Sequence, residues 1–391
     1  MSQTARQLIA QAKAENWTRL DLGNCGLTDL ATQVPELFTL TDLEELVLSN
    51  VWQEWNDATQ AWEYKISSNK GELNKIDQLP MALGNLKKLR VFICGGRWNN
   101  RWGISNISAL SDLSALTTLN LPYSQLTNIA GLSGLNALTT LHLNSNQLKD
   151  VSSLSSLTAL TTLDLNNNQL TDISPLSNLS ALTTLHLNNN KLADVSSLSG
   201  LSALTTLFLC CNEYITDASP LSSLTALTAL DLSDNLLRDI SSLSSLSALT
   251  LLVLYGNQLK DVSPLSALNA LTTLDLSRNY ITDISPLSGL TALTKLYLHS
   301  NLLADISPVS SLMALTRLDL SFNQLTDVSA LLPLLQREDP MDFTIKTAYG
   351  TPQVGLINVG TNPLKIPPMK VVRKGREAVL QYFEVFFSNN S

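Results

Sequence analysis

Leu138-Thr-Thr-Leu141-His-Leu143-Asn-Ser-Asn146-Gln-Leu148 returns 22 residues later as Leu160-Thr-Thr-Leu163-Asp-Leu165-Asn-Asn-Asn168-Gln-Leu170. The first strand leucine of this unit recurs at Leu119, Leu141, Leu163, Leu185, Leu207, Leu230, Leu252, Leu274, Leu296 and Leu318. Every step is 22 residues except Leu207 to Leu230, which is 23. The extra residue falls in Asn212-Glu-Tyr214-Ile215-Thr-Asp217, where a local bulge absorbs it without losing the next register. A Leu-x-Leu strand points two leucines inward and one variable residue outward. Such a strand buries nothing alone. Stacked on its neighbours it gives a parallel sheet over a continuous core, each buried leucine contributing roughly 1.5–3 kcal/mol.

The period lies in the range of leucine-rich repeats. Asn146, Asn168, Asn190, Asn212, Asn235, Asn257, Asn279, Asn301 and Asn323 form a second column where the chain leaves each strand. An inward amide there satisfies backbone groups of the turn, and its loss costs about 1–3 kcal/mol. The returning half reads Asp172-Ile173-Ser-Pro175-Leu176 or Asp283-Ile284-Ser-Pro286-Leu287. Pro and Ser favour short 3₁₀-like turns over a long helix. The expected fold is an α/β solenoid, a leucine-rich-repeat horseshoe with a parallel concave sheet of about 14 strands and a short convex side.

The ends are less regular. Ala5 to Ala14 reads as a short amphipathic helix, so residues 1–19 form an N-terminal helical cap. The array spans 20–364, with strands also at Leu20-Asp-Leu22, Leu46-Val-Leu48, Phe92-Ile-Cys94 and Ile357-Asn-Val359. Uneven steps between them place insertions at 49–80, 95–107 and 335–353. Residues 365–391 are a C-terminal helix, Met369 to Phe386, that either folds back as a cap or leads toward a further domain.

The outward residues run Asp21, Val47, Ile93, Asn120, His142, Asp164, His186, Phe208, Asp231, Val253, Asp275, Tyr297, Asp319 and Asn358. The leucines repeat and these do not, because packing does not dictate them. Tyr123, Tyr255, Arg278, Lys295, His299, Arg317 and Phe322 flank the row. A mixed aromatic and charged strip suits protein recognition; the plainer reading is a solvated face. A second candidate is a cluster of Trp52, Trp55, Trp62, Trp98 and Trp102, five of the six tryptophans, in the first two insertions with Arg97 and Arg101. Two readings stay open for it: a private mini-core that stabilises the loops, or a docking patch.

Other chemistries find little support. His142 and His186 stand two strands apart, about 9.6 Å, too far for a shared zinc ion without reorientation. No positioned nucleophile, acid or base is recognisable, and no cofactor is expected in this chain. Cys25, Cys94, Cys210 and Cys211 lack zinc-ligand or disulfide-framework spacing. With 25 basic and 33 acidic residues the net charge is −8, without the footprint of a nucleic-acid binder. The N-terminus carries no signal-like apolar run and no stretch is long enough to span a membrane, so a cytoplasmic protein is expected.

The opening Ala5-Arg-Gln-Leu-Ile-Ala-Gln-Ala-Lys-Ala-Glu-Asn-Trp-Thr-Arg-Leu-Asp-Leu22 resembles the start of bacterial Roco proteins. So does Asn362-Pro-Leu-Lys-Ile-Pro-Pro368, followed by Gly375-Arg-Glu-Ala-Val-Leu-Gln-Tyr-Phe383. Asn362, Pro363, Leu364, Pro367, Pro368, Arg376 and Glu377 match that family's passage out of the array. In Roco proteins the array precedes a Ras-like GTPase domain, Roc, and a dimerising domain, COR. The chain has no Gly-x-x-x-x-Gly-Lys-Ser/Thr phosphate loop, so GTP, GDP and Mg²⁺ are expected only in a GTPase domain outside it. The resemblance implies a non-catalytic regulatory module whose partners are the Roc and COR domains of its own chain or a second copy. The alternative is an internalin-like surface adhesin, since the central repeats are generic and resemble internalins among many other proteins.

Overall fold

The computed structural model describes residues 3–56, 59, 61–344 and 355–390. The chain divides into two compact units, Met1–Leu207 and Phe208–Ser391.

In the first unit the helix Gln3–Glu15 buries Ala5, Ile9 and Ala12 ahead of the strand Arg19–Asp21. That strand pairs in parallel with Glu45–Val47, and the ladder continues in chain order through Val91–Ile93, Thr118–Asn120, Thr140–His142, Thr162–Asp164 and Thr184–His186. Leu20, Leu46, Phe92, Leu119, Leu141, Leu163 and Leu185 stand in one register row. All of them are buried. Leu-x-Leu alternation is therefore read as expected: the leucines turn inward and the residue between them turns out.

The second unit repeats the pattern with Ala229–Asp231, Leu251–Val253, Thr273–Asp275, Lys295–Tyr297, Arg317–Asp319 and Leu356–Asn358, all parallel and in register. Thr206–Phe208 falls at the boundary between the units. Among the described residues fifteen strands take part in the parallel sheet, one more than the leucine pattern yields. The additional one, Asp342–Thr344, pairs with Leu356–Asn358 and sets Phe343 opposite Ile357. It lies inside the expected insertion 335–353 and has no Leu-x-Leu to announce it; residues 345–354 lie outside the described residues.

Two side-chain devices hold the turns. Asn168 donates through Nδ2 to Leu143 O at 3.1 Å and Leu165 O at 3.0 Å, while its Oδ1 accepts from Leu148 N–H at 3.0 Å. One amide thus satisfies backbone groups of its own repeat and of the one before. On the opposite side Asp172 accepts from Ser174 N–H at 2.7 Å and from its hydroxyl at 3.0 Å, which sets the 3₁₀ turn Ser174–Leu176. Such turns follow nearly every strand, for example Ser152–Leu154, Ser196–Leu198 and Ser285–Leu287.

The first insertion is smaller than the sequence spacing implies. Asn74 has returned to the asparagine column: its Oδ1 accepts from Cys25 N–H at 3.0 Å and Leu27 N–H at 2.8 Å, and its Nδ2 donates to Leu22 O and Leu48 O. Only residues ahead of it depart from the solenoid, as an antiparallel hairpin of Val51–Asn56 with Ala61–Ile66.

At the far end the helix Arg376–Asn390 folds back. Arg376 N–H donates to Asp342 Oδ1 at 2.8 Å and its Nε donates to Leu335 O at 2.6 Å. Val379 and Phe383 are buried on its inner side. Tyr382 and Phe386 stack alongside, while Val385 and Phe387 stay exposed. Among the described residues no helix is long and apolar enough to cross a membrane.

Candidate functional site

The hairpin lies along the outward sheet face of the first unit, crossing its strands. Trp52 is buried against Val47 and Ile93, with Val91 beside them. One residue further, Gln53 O accepts from Asn120 Nδ2 at 3.3 Å. Trp55 meets His186 edge to face, with ring centroids 4.4 Å apart and planes at 79°. In chain order the hairpin residues therefore reach strands farther along the sheet: Trp52 the second and third, Gln53 the fourth, and the large ring of Trp55 the seventh.

This roof corrects the expected open strip. His142, Asp164 and His186 point outward from the leucine core, yet all three are buried. His142 Nδ1 lies 4.0 Å from Asp164 Oδ2 beneath the hairpin.

The tryptophan cluster separates into different roles. Trp52 and Trp55 cover the sheet, and Trp102 is fully buried in the second insertion. Trp98 is exposed, Arg97 is half-buried, and Arg101 is exposed with its guanidinium 5.8 Å from the Tyr123 ring centre. Trp62 sits opposite Trp55 in the hairpin register; its side chain lies outside the described residues.

In the second unit the row carries Phe208, Asp231, Val253 and Asp275, all half-buried, followed by buried Tyr297 and Asp319. Beside it the Arg278 guanidinium stands 5.3 Å from the Tyr255 ring centre, and Tyr255 lies 5.9 Å from the His299 ring. Phe322 is exposed on the same flank, and Lys295 and Arg317 are half-buried on the other. Burial pushes the Asp231 and Asp275 carboxyls above their ordinary range, partly offset by hydrogen bonds from Ser233 and Ser277. Asp231 Oδ1 accepts from Ser233 N–H at 2.9 Å, Asp275 Oδ1 from Ser277 N–H at 2.9 Å, and Asp319 Oδ1 from Ser321 N–H at 3.0 Å. These carboxylates brace their own turns and are not free bases.

Cys210, Cys211 and Asp234 are the one group of three potential metal ligands found among the described residues. The histidines do not join it. Burial pushes both thiols up, which keeps them protonated and weak as nucleophiles.

The sheet register, the asparagine column and the 3₁₀ side are the attributes of one repeat family. The family of Leucine Rich repeats (2 copies) matches residues 114–156, 136–178, 158–200, 180–223, 247–289 and 291–333. The chain belongs to the leucine-rich-repeat family. Among solved structures, this leucine-rich-repeat chain is similar to an internalin of Listeria monocytogenes, InlF, at 29% identity and a TM-score of 0.59, over 84% of this chain and 87% of that one. A leucine-rich-repeat protein of Leptospira interrogans shares the fold at 24% identity and a TM-score of 0.72, over 91% and 87% of the two chains. The ectodomain of the receptor kinase GASSHO1/SCHENGEN3 from Arabidopsis thaliana, in complex with Casparian strip integrity factor 2, shares it at 23% identity and 0.53, over 84% and 46%. No curated protein matches the chain.

Sequence reasoning missed Asn74, Tyr64 and Ile66 as parts of this region, while Asn120 was already placed in the outward row. Leu73-Asn74-Lys-Ile76 does carry the tail of a repeat and could have marked where the solenoid resumes. Nothing in Val51–Ile66 says which face the hairpin covers.

Proposed function

We propose that this leucine-rich-repeat chain is a non-catalytic protein-interaction and regulatory module, with the second unit's outward strip as its partner face. The observation that carries this reading is the contrast between invariant leucines and the Tyr255, Arg278, His299 and Phe322 cluster beside them. Aromatic and arginine side chains on a rigid sheet are the usual anchors of protein interfaces. The passages Ala5 to Leu22 and Asn362 to Phe383 support a Roco-type setting. There the partners are Roc and COR domains, GTP, GDP and Mg²⁺ belong to the GTPase, and the work is cytoplasmic. Coupling is then reciprocal, nucleotide altering the array's contacts as much as the array alters nucleotide preference.

A second reading, an internalin-type surface protein, is favoured by the 29% identity to InlF. The reading frame after Ser391 discriminates between them. A phosphate loop supports the Roco setting, and a cell-wall-anchoring segment supports the adhesin. Titrating the chain with Roc–COR protein loaded with GDP or a GTP analogue tests the regulatory claim. Nucleotide-dependent affinity that is lost in Arg278→Ser with Phe322→Ser is expected; equal affinity in both nucleotide states contradicts it.

A further inference from the structure

We propose that Cys210, Cys211 and Asp234 form a binding site for one divalent ion of the zinc class. The proposal stands on its own and does not depend on the interaction reading above.

The three side chains share one flank of the outward sheet in the second unit. Cys211 N–H donates to Ser233 O at 2.9 Å, Asp234 N–H to Tyr255 O at 2.7 Å, and Gly256 N–H to Ser277 O at 3.0 Å. Cys211, Asp234 and Gly256 therefore hold the same turn position in three consecutive repeats, and Cys210 is one residue ahead. The two sulfurs and a carboxylate oxygen of Asp234 all lie within 4.8 Å of one another. The Cys211 thiol donates to Asp234 Oδ2 at 3.8 Å, and the two sulfurs are 2.7 Å apart. Around a tetrahedral zinc ion, bonds of about 2.3 Å to sulfur and about 2.0–2.2 Å to oxygen set ligand atoms about 3.6–3.8 Å apart. The Cys211–Asp234 edge already has that length. The sulfurs reach it by parting about 1 Å through side-chain rotation.

The second observation is Gly256. Its φ is +68°, but Cys211 at +59°, Arg278 at +51°, Ser300 at +55° and Phe322 at +55° hold this turn position with side chains attached. Conformation alone does not call for glycine here. Space does: a Cβ on Gly256 would stand 2.3 Å from Asp234 Oδ1. The missing side chain leaves the carboxylate room beside the thiols. The sequence also departs from its period at this place, since the one 23-residue step, Leu207 to Leu230, contains the cysteine pair.

Ligand chemistry selects the ion. Two sulfurs exclude Mg²⁺ and Ca²⁺, which take oxygen, and the carboxylate favours Zn²⁺ over Cu⁺. Asp231 and Asp234 add negative charge beside the thiols, a field that favours a cation. Each thiol gives its proton to water as it coordinates. Cys210 and Cys211 are half-buried and Asp234 is exposed, so the ion enters from solvent. Three protein ligands leave the fourth position to water. The cysteine spacing announces no zinc motif because the third ligand lies 23 residues beyond Cys211, in the next repeat.

The test is competition titration of the reduced full chain with Zn²⁺ against a chromophoric chelator. One ion per chain is expected. Cys210→Ser and Cys211→Ser are each expected to lose on the order of 100-fold in affinity, because a hydroxyl is a poor substitute for a thiolate. Serine already fills the first position at Ser233 and Ser277 and the second at Ser145 and Ser300, so both variants are expected to keep the metal-free melting temperature. Asp234→Asn is expected to lose about 10-fold, and so is Gly256→Ser, which keeps all three ligands and displaces the carboxylate. Equal affinity in the wild type and both cysteine variants overturns the site. Wild-type affinity in both Asp234→Asn and Gly256→Ser overturns it as well, since the thiols then act alone. So does loss of two hydrogens across Cys210–Cys211 when the chain stands in air with Zn²⁺, read by mass spectrometry, since the pair then closes a disulfide instead.

Discussion

A single amide does the work of several backbone partners in this fold. Asn257 donates to Leu232 O at 3.0 Å and Leu254 O at 3.1 Å, and accepts from Leu237 N–H at 3.0 Å. Asn257→Ala strands those groups in a buried turn and is expected to cost about 3 kcal/mol. Asn257→Asp also fails, because a carboxylate has no hydrogens for the two carbonyls. Guanidinium unfolding of both variants checks this. Asp231 works in the opposite sense. Burial raises its pKa in the folded chain, so the folded state pays to ionise it at neutral pH and not at acid pH. Asp231→Asn is expected to raise the melting temperature at pH 7, with the gain vanishing as pH falls through that raised pKa. A gain that persists in acid contradicts the assignment. The asparagine column was readable because nine copies in one position carry a structural meaning that one copy does not. The ionisation cost of Asp231 was not, since it depends on how deeply the outward row sits between its neighbours.

The hairpin is the element that changes the reading of the first unit. Leucine spacing marked an insertion between strands but carried no information about where its side chains land. Trp52 over Val47 and Ile93, and Trp55 over His186, are contacts of high sequence separation with no local signature. Trp55→Ala is expected to free the hairpin end while leaving the leucine ladder intact, because repeat stability is spread over many interfaces. Hydrogen exchange checks it: amides of Val51–Asn56 should exchange faster, and those of Leu163 and Leu185 should not change. The added strand Asp342–Thr344 escaped notice for a related reason. Its pairing with Leu356–Asn358 rests on Phe343 alone among its three residues, which is no period at all.

At the scale of the whole molecule, two units share one repeat chemistry and present it differently. The parallel array was legible because a 22-residue period repeats the same inward leucines and turn residues. What covers the array was not, because the outward residues are free of that period. The central claim is that the first unit's outward row is roofed by its hairpin while the second unit's flank stays open. The chain has three histidines, His142 and His186 under the roof and His299 on the open flank. Diethyl pyrocarbonate modification of the native chain, followed by mass spectrometry of each histidine, measures this directly. Reaction at His299 with protection of His142 and His186, and loss of that protection when residues 51–66 are replaced by a short glycine linker, is the predicted result. Modification of His186 at the rate of His299 in the intact chain would contradict the account.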